Sequence, residues 1–227
     1  MREVNPIIIA LDVENAAQAR ELVKNLGDAG SFYKVGMELY AAAGMDFVRE
    51  LISEGKQVFL DLKFYDIGET VKRAVAQVAA VEGIRFLTVH AHPSVMCAAR
   101  EGKANAPLQL LAVTVLTSWT QKDLAEDGHS ESVAELVARR VTNARDCGMD
   151  GLICSPLEVA RVREIAGPAS ILVTPGVRSA GADTGDQKRV ATPAMAIRHG
   201  ANYLVMGRQI SRATDPAAEM QRILSEL

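Results

Sequence analysis

The chain has 227 residues, 48% of them hydrophobic, which is enough to bury the core of one domain. Its formal net charge is −3, with acidic and basic residues mixed along the chain, so we expect no nucleic-acid-binding face and no basic membrane patch. The three cysteines lack a paired metal-binding spacing, and we interpret them as reduced thiols of a cytoplasmic protein.

The first apolar run, Ile7-Ile8-Ile9-Ala10-Leu11, is followed at once by Asp12. It is too short for a secretory signal or a membrane span, so we interpret it as a strand. Short runs rich in Ile, Val, Leu and Phe recur along the chain and predict strands over residues 7–12, 32–37, 58–63, 86–91, 110–116, 151–155, 171–174 and 203–206. Segments with apolar residues three and four apart lie between them and predict helices, including 16–26, 45–54, 71–81 and 133–147.

Eight strand–helix units of this size predict a closed parallel (β/α)8 barrel, an α/β fold of the TIM type. We expect one domain over residues 1–227, because no linker or low-complexity tract divides the chain. A doubly wound open sheet is the alternative architecture.

Polar residues follow the carboxyl ends of several predicted strands, where barrels carry their active sites. Together they predict a single site at one end of the barrel. The residues are Asp12, Lys63, His90, Thr117, Ser118, Gly207 and Arg208.

The third predicted strand carries charged residues on one face. Side chains alternate along a strand, so Asp61 and Lys63 point to the side opposite Leu60 and Leu62, into the barrel mouth. The same alternation turns Asp12 and Lys34 inward from the first two strands, and Asp66 follows on a loop, from which it joins this set or reaches a neighbouring subunit. A structural ion-pair network is the alternative, but charges at this end of a barrel favour catalysis.

A long polar loop with several glycines, residues 174–187, follows the seventh strand. Together with Gly207-Arg208 after the eighth strand, it matches the usual phosphate site of barrels. Backbone N–H groups and the guanidinium of Arg178 suit a phosphate dianion. An ordinary surface loop is the alternative.

His90 and His92 are two residues apart and would share a face of an extended strand. With Asp61 they offer a possible metal site. Histidines at a strand end more often pack and form hydrogen bonds, so we expect no metal.

The string Asp61-Leu62-Lys63-Phe64-Tyr65-Asp66 resembles the DxKxxD signature of orotidine 5′-phosphate decarboxylases. The similarity extends over nearly the whole chain. It includes Ile9-Ala10-Leu11-Asp12, Lys34-Val35-Gly36, Val113-Thr114-Val115-Leu116-Thr117-Ser118, Thr174-Pro175-Gly176-Val177-Arg178, Gly185-Asp186-Gln187 and Met206-Gly207-Arg208.

The resemblance implies a cytoplasmic homodimer that decarboxylates orotidine 5′-phosphate without a cofactor, as the last step of de novo pyrimidine nucleotide synthesis. Lys63 would protonate the carbanion, Asp61 and Asp66 would keep it charged, and Asp66 would come from the partner subunit. By the same resemblance, Asp12 and Lys34 bind the ribose hydroxyls and link to the array, and Lys34 is also one of the catalytic residues. Thr117 and Ser118 contact the pyrimidine, and Arg178, Gln187, Gly207 and Arg208 bind the phosphate region. Thr70 belongs among the substrate-binding residues.

The spacing Asp-x-Lys-x-x-Asp-x-Gly, ending at Gly68, is also similar to that of the Mg²⁺-dependent 3-hexulose-6-phosphate synthases and related sugar-phosphate decarboxylases. These enzymes have an acidic residue in the position of Lys34, so Lys34 favours the orotidine type. A barrel that binds a phosphate ligand without catalysis is a further alternative.

Overall fold

Eight parallel strands form a closed barrel in which each strand pairs with the next in the chain and the last pairs with the first. This strand order confirms the predicted (β/α)8 architecture. The computed structural model describes residues 5–181 and 191–227. The strands are β1 (Ile7–Ala10), β2 (Phe32–Gly36), β3 (Gln57–Phe64), β4 (Ile84–His90), β5 (Gln109–Val113), β6 (Gly151–Ile153), β7 (Ile171–Thr174) and β8 (Tyr203–Met206).

Helices surround the barrel and pack against its outer face. Several begin at a side chain that accepts a hydrogen bond from the first turn, as at Asn15, Ser132 and Asp215. No described helix is long and apolar enough to cross a membrane. The helices are α1 (Ala16–Leu26), α2 (Met37–Ser53), α3 (Gly68–Ala79), α4 (Pro93–Lys103), α5 (Gln121–Glu126), α6 (Val133–Asp146), α7 (Val159–Ala166), α8 (Pro193–Arg198), α9 (Arg208–Ser211) and α10 (Pro216–Leu224).

Several strands end earlier than the sequence predicts, and β1, β5 and β6 do so by two residues or more. β1 ends at Ala10 and β5 at Val113, whereas the apolar runs continue to Leu11 and Leu116. The runs continue because Leu11 and Val115 are buried among the surrounding helices after the chain has left the strand. Apolar patterning therefore overestimates strand length where a loop also contributes to the core.

The second helix is longer than predicted. It begins at Met37 rather than at residue 45 and is interrupted at Gly44, whose φ is 62°. Its first half contains the run Ala41-Ala42-Ala43, which has no apolar periodicity and gave no helical signal.

Alternating side chains divide the core into a layer between strands and helices and a smaller cluster inside the barrel. At the amino-terminal end of the barrel, the Arg85 guanidinium lies 5.1–5.5 Å from the ring centroids of Phe32, Phe86 and Tyr203. Arg85 also donates a hydrogen bond to the Tyr203 hydroxyl. These four side chains fill that end of the barrel.

Candidate active site

A cavity of about 540 Å³ opens at the carboxyl-terminal end of the barrel. Its volume is in the range of small-molecule sites. Most of the residues that the sequence placed at this end line one cavity, as predicted. Its polar lining includes Asp12, Lys34, Asp61, Lys63, Thr117, Arg178, Arg208, Ser211 and Arg212.

The four charged residues of the first three strands form one connected array. Lys34 Nζ lies 2.8 Å from Asp12 Oδ1 and 3.6 Å from Asp61 Oδ2. Lys63 Nζ donates to Asp61 Oδ1 at 2.9 Å. The side chains of Lys34 and Asp61 are only 10% and 14% exposed, whereas that of Lys63 is 26% exposed. The array thus presents the Lys63 ammonium and the more exposed Asp12 carboxylate to the cavity and buries Lys34 and Asp61 behind them.

Mutual attraction keeps the buried pair ionised. Burial alone would raise the pKa of Asp61, but the ammonium groups of Lys34 and Lys63 outweigh it and hold the pKa of this carboxyl below its usual value. Burial alone would lower the pKa of Lys34, but the carboxylates of Asp61 and Asp12 outweigh it and raise the pKa. Both groups therefore stay charged at neutral pH.

Thr88 completes the array and was not among the residues predicted from the sequence. This fully buried residue of β4 accepts a hydrogen bond from the Lys63 N–H and donates one to Asp61 Oδ1, each 2.9 Å long. The Lys63 backbone is in the left-handed region, with φ of 50°, at an irregularity in the β3–β4 pairing. Alternation along β4, which turns Phe86 inward, was the available signal for Thr88.

Gly36, at the end of β2, leaves room for the ion pair beside it. A Cβ at this position would lie 3.0 Å from Lys34 Nζ and 3.3 Å from Asp12 Oδ1. The backbone of Gly36 has φ of −91°, which any residue adopts. Space around the ammonium, rather than backbone conformation, is therefore what glycine provides here.

Arginines that follow β7 and β8 line another part of the cavity. Arg178 is buried, and its Nη1 donates to the Val177 carbonyl at 2.7 Å. Arg208 and Gly207 follow β8, as predicted, and Arg212 joins them from the end of α9. Gln187 lies outside the described residues. The cavity therefore has a cationic part, suited to an anionic group, in addition to the array of acids and bases.

The two residues predicted to contact the pyrimidine, Thr117 and Ser118, lie in the loop after β5. Thr117 lines the cavity, whereas Ser118 is exposed and does not. Thr70 is exposed on α3, away from the cavity lining. Of these three predicted substrate-binding residues, only Thr117 lines the cavity of the single chain.

Asp66 does not join the array within this chain. Its side chain is exposed and its Oδ1 accepts a hydrogen bond from the Ile67 N–H at 2.6 Å. No ion pair joins Asp66 to Lys63 in the described part of the chain. Asp66 therefore does not join the array in the single chain, and its other predicted position, contact with a neighbouring subunit, stays a prediction.

His90 and His92 lie beside Tyr65 rather than in a ligand cluster. The Tyr65 ring centroid is 5.3 Å from that of His90 and 6.1 Å from that of His92. Burial lowers the pKa of His90, and Arg140 and Lys63 lower it further. Among residues 5–181 and 191–227, no group of three or more His, Cys, Asp or Glu side chains is arranged to hold a metal.

The barrel and the array define a class of protein, and comparison of the sequence identifies it. Residues 5–223 match the Orotidine 5'-phosphate decarboxylase / HUMPS family, to which the chain belongs.

Bacterial orotidine 5′-phosphate decarboxylases are similar to this chain over nearly its whole length. The orotidine 5′-phosphate decarboxylase of Bradyrhizobium sp. strain ORS 278 is 52% identical, over 97% of this chain and 90% of its own length. That of Methylobacterium nodulans is 50% identical, over 97% of this chain and 94% of its own. The crystal structure of orotidine 5′-phosphate decarboxylase from Lactobacillus acidophilus superimposes with a TM-score of 0.86, at 38% identity and 98% coverage of both chains.

Proposed function

We propose that this protein converts orotidine 5′-phosphate to uridine 5′-phosphate and CO₂ and so completes de novo pyrimidine nucleotide synthesis. The observation that carries this proposal is the Lys34–Asp61–Lys63 array, which lines one cavity together with Arg178 and Arg208. Decarboxylase relatives about half identical to this chain support the same activity.

The chemistry follows from the Lys63 ammonium. Breaking the bond between the pyrimidine C6 and its carboxylate leaves the electron pair on C6, an sp² carbon without an adjacent electron sink. A fixed cation beside that carbon stabilises the charge as it develops. Lys63 then donates a proton to C6 and recovers one from solvent. Asp61, 2.9 Å from Lys63 Nζ, keeps this group charged and aimed.

The rest of the substrate occupies the remaining lining. Asp12 and Lys34 bind the ribose hydroxyls, and Thr117, which lines the cavity, contacts the pyrimidine, whereas Ser118 is exposed in the single chain. Arg178, Gly207 and Arg208 hold the phosphate, together with Gln187, which lies outside the described residues. Binding energy from the phosphate then helps to hold the reacting ring against the array.

The active site is shared between the subunits of a homodimer, with Asp66 acting in the partner's site and Thr70 beside it. The exposure of Asp66 in the single chain supports this arrangement, as do its large exposed neighbours. Tyr65 is 64% exposed and Ile67 77%. Exposed apolar side chains of this size favour an interface.

We further propose that the enzyme needs no metal and works in the cytoplasm, without nucleic-acid partners. The two carboxylates that could hold a metal ion, those of Asp12 and Asp61, already have the Lys34 ammonium between them. This arrangement supports metal-independence. A cation in that position supplies the charge that a metal ion would otherwise bring.

The direct test is a continuous ultraviolet assay with orotidine 5′-phosphate, in which loss of the substrate chromophore reports decarboxylation. We expect turnover by the wild type and at least a thousandfold loss in the Lys63→Ala variant, about the value of a catalytic acid and cation. Tight binding without turnover in the wild type would identify a non-catalytic phosphate-binding barrel instead.

A further inference from the structure

Two cysteines lie side by side on the outer face of the barrel, away from the cavity lining. Cys97 belongs to α4, and Cys147 directly follows α6. Their sulfur atoms are 3.4 Å apart, although 50 residues separate them in the chain. The third cysteine, Cys154, is only 1% exposed. The pair takes no part in the proposed decarboxylation.

The position of the two thiols suits a disulfide. A disulfide bond is about 2.0 Å long, so the Sγ atoms, now 3.4 Å apart, have to approach by only about 1.4 Å. Cys147 directly follows α6 and is partly buried against the core, so it stays next to Cys97. Cys97 is exposed, so a soluble reagent reaches it directly.

We propose that Cys97 and Cys147 form a reversible intramolecular disulfide, by exchange with a low-molecular-weight disulfide such as oxidised glutathione. The Cys97 thiolate attacks oxidised glutathione, forms a mixed disulfide and releases one glutathione. Cys147 then loses its proton to solvent and attacks the Cys97 sulfur, which releases the second glutathione. The two protein thiols are oxidised together, and one oxidised glutathione is reduced to two glutathione molecules.

Exposure sets the order of these steps. Burial, followed by the hydrogen bond with Cys97, raises the pKa of Cys147 to about 11, so this thiol is a poor first nucleophile. It attacks only when the mixed disulfide on Cys97 holds an electrophilic sulfur next to it. A cytoplasmic glutathione pool keeps such pairs reduced, so the bridge forms when that pool becomes oxidised.

The bridge would fix α4 to the end of α6 and enclose the segment between them. That segment contains β5 and the loop that carries Thr117. α4 is itself packed closely on α3, because a Cβ on Gly102 would lie 2.2 Å from the Lys72 carbonyl oxygen. Closing a loop of this length restricts the unfolded chain, and we expect Tm to rise by on the order of 5 °C.

To test this proposal, the folded protein is incubated in glutathione buffers with an increasing oxidised fraction, and thiol–disulfide exchange is stopped with acid. Mass spectrometry then gives the intact mass and the cross-linked peptides. We expect the wild type to lose the mass of two hydrogen atoms, to yield a Cys97–Cys147 peptide and to return to the dithiol with excess reduced glutathione. The Cys147→Ser variant should stop at one glutathione on Cys97. The Cys97→Ser variant should leave Cys147 unmodified, and Cys154 should stay unmodified throughout.

A stable mixed disulfide on Cys97 of the wild type would overturn the proposal, as would cross-links between copies or no modification in any buffer. A bridged wild type whose Tm equals that of the reduced protein would overturn the stabilising effect of the bridge. Both measurements are independent of decarboxylase activity, so they neither require nor test the proposed function.

Discussion

The hydroxyl of Thr88 on β4 accepts a hydrogen bond from the backbone N–H of Lys63 on β3, at 2.9 Å. This bond holds Lys63 in a left-handed conformation, with φ of 50°, that costs a non-glycine residue on the order of 1–3 kcal/mol. The same hydroxyl donates to Asp61 Oδ1. One buried side chain therefore fixes both the backbone of the proposed acid and the carboxylate that orients it.

Replacing Thr88 with Val, which has the same shape but no hydroxyl, should weaken catalysis and stability together. The buried Lys63 N–H loses its partner, at a cost of about 1–3 kcal/mol. Lys63 is then less well aimed, and we expect kcat/KM to fall about 10–100-fold. Thr88→Ser is the matched control and should retain most of the activity. A Thr88→Val enzyme with wild-type kcat/KM would show that this hydroxyl does not position Lys63.

Gly36→Ala should impair catalysis by crowding rather than by backbone strain. The added methyl would lie 3.0 Å from Lys34 Nζ, so the ammonium has to move relative to Asp12 and Asp61. We expect kcat/KM to fall about tenfold with little change in unfolding free energy. Gly68→Ala is the control, because its Cβ makes an ordinary 3.6 Å contact with Ala98. Equal activity of both variants and the wild type would contradict the packing argument.

The stabilising contribution of the array should disappear in acid. The pKa of Asp61 is lowered in the folded protein, so its contribution is complete above the unfolded value of about 3.9 and is lost as pH falls through the folded pKa. Asp61→Asn should therefore be less stable than the wild type by about 3 kcal/mol near neutral pH. Urea unfolding at several pH values should show this difference shrinking in acid. A difference that stays constant through acid pH would contradict the assignment of an ionised Asp61.

If Asp66 acts across a subunit interface, mixing two inactive variants should restore part of the decarboxylase activity. Lys63→Ala and Asp66→Ala subunits, exchanged at equal amounts, give mixed dimers with one intact site, so activity should return to about a quarter of the wild-type value. Lys63→Ala mixed with the double variant should remain inactive. Affinity capture with one tagged subunit establishes that exchange occurred. If mixed dimers form and no activity returns, the site is not shared.

Removal of divalent metals should leave the activity unchanged. Orotidine 5′-phosphate turnover should be the same after treatment with EDTA and after later addition of Mg²⁺, since the Lys34 and Lys63 ammonium groups supply the positive charge. Loss of activity with EDTA and recovery with Mg²⁺ would instead favour the chemistry of the metal-dependent branch of the family.

Strand periodicity was sufficient to predict the barrel and the central array. Asp61 and Lys63 are two residues apart on β3, so one alternation places both inside, and Lys34 follows from the same rule on β2. Thr88 was missed because a threonine within an apolar strand is common for β propensity alone. Arg212 reaches the cavity only because the short helix α9 turns the chain back, which no local pattern predicts.

The position of Asp66 shows a different limit. Its spacing from Lys63 is typical of the family signature, but a single chain leaves its carboxylate exposed and bonded to its own neighbour. Contacts between two copies of the chain depend on how well their surfaces fit each other. Neither the alternation of side chains along a strand nor the structure of one chain gives that fit. The contribution of this residue therefore remains a proposal for the mixing experiment.

The Arg85 side chain and the rings of Phe32, Phe86 and Tyr203 pack the amino-terminal end of the barrel, whereas the cavity opens at the carboxyl-terminal end. CO₂ formed above β3 would then leave by the mouth through which the nucleotide entered. While the nucleotide occupies that mouth, escape of the gas and opening of the entrance compete for the same passage. Passage of CO₂ and the nucleotide through the mouth of the cavity, as well as the bond-breaking step, would then limit the turnover rate of each site.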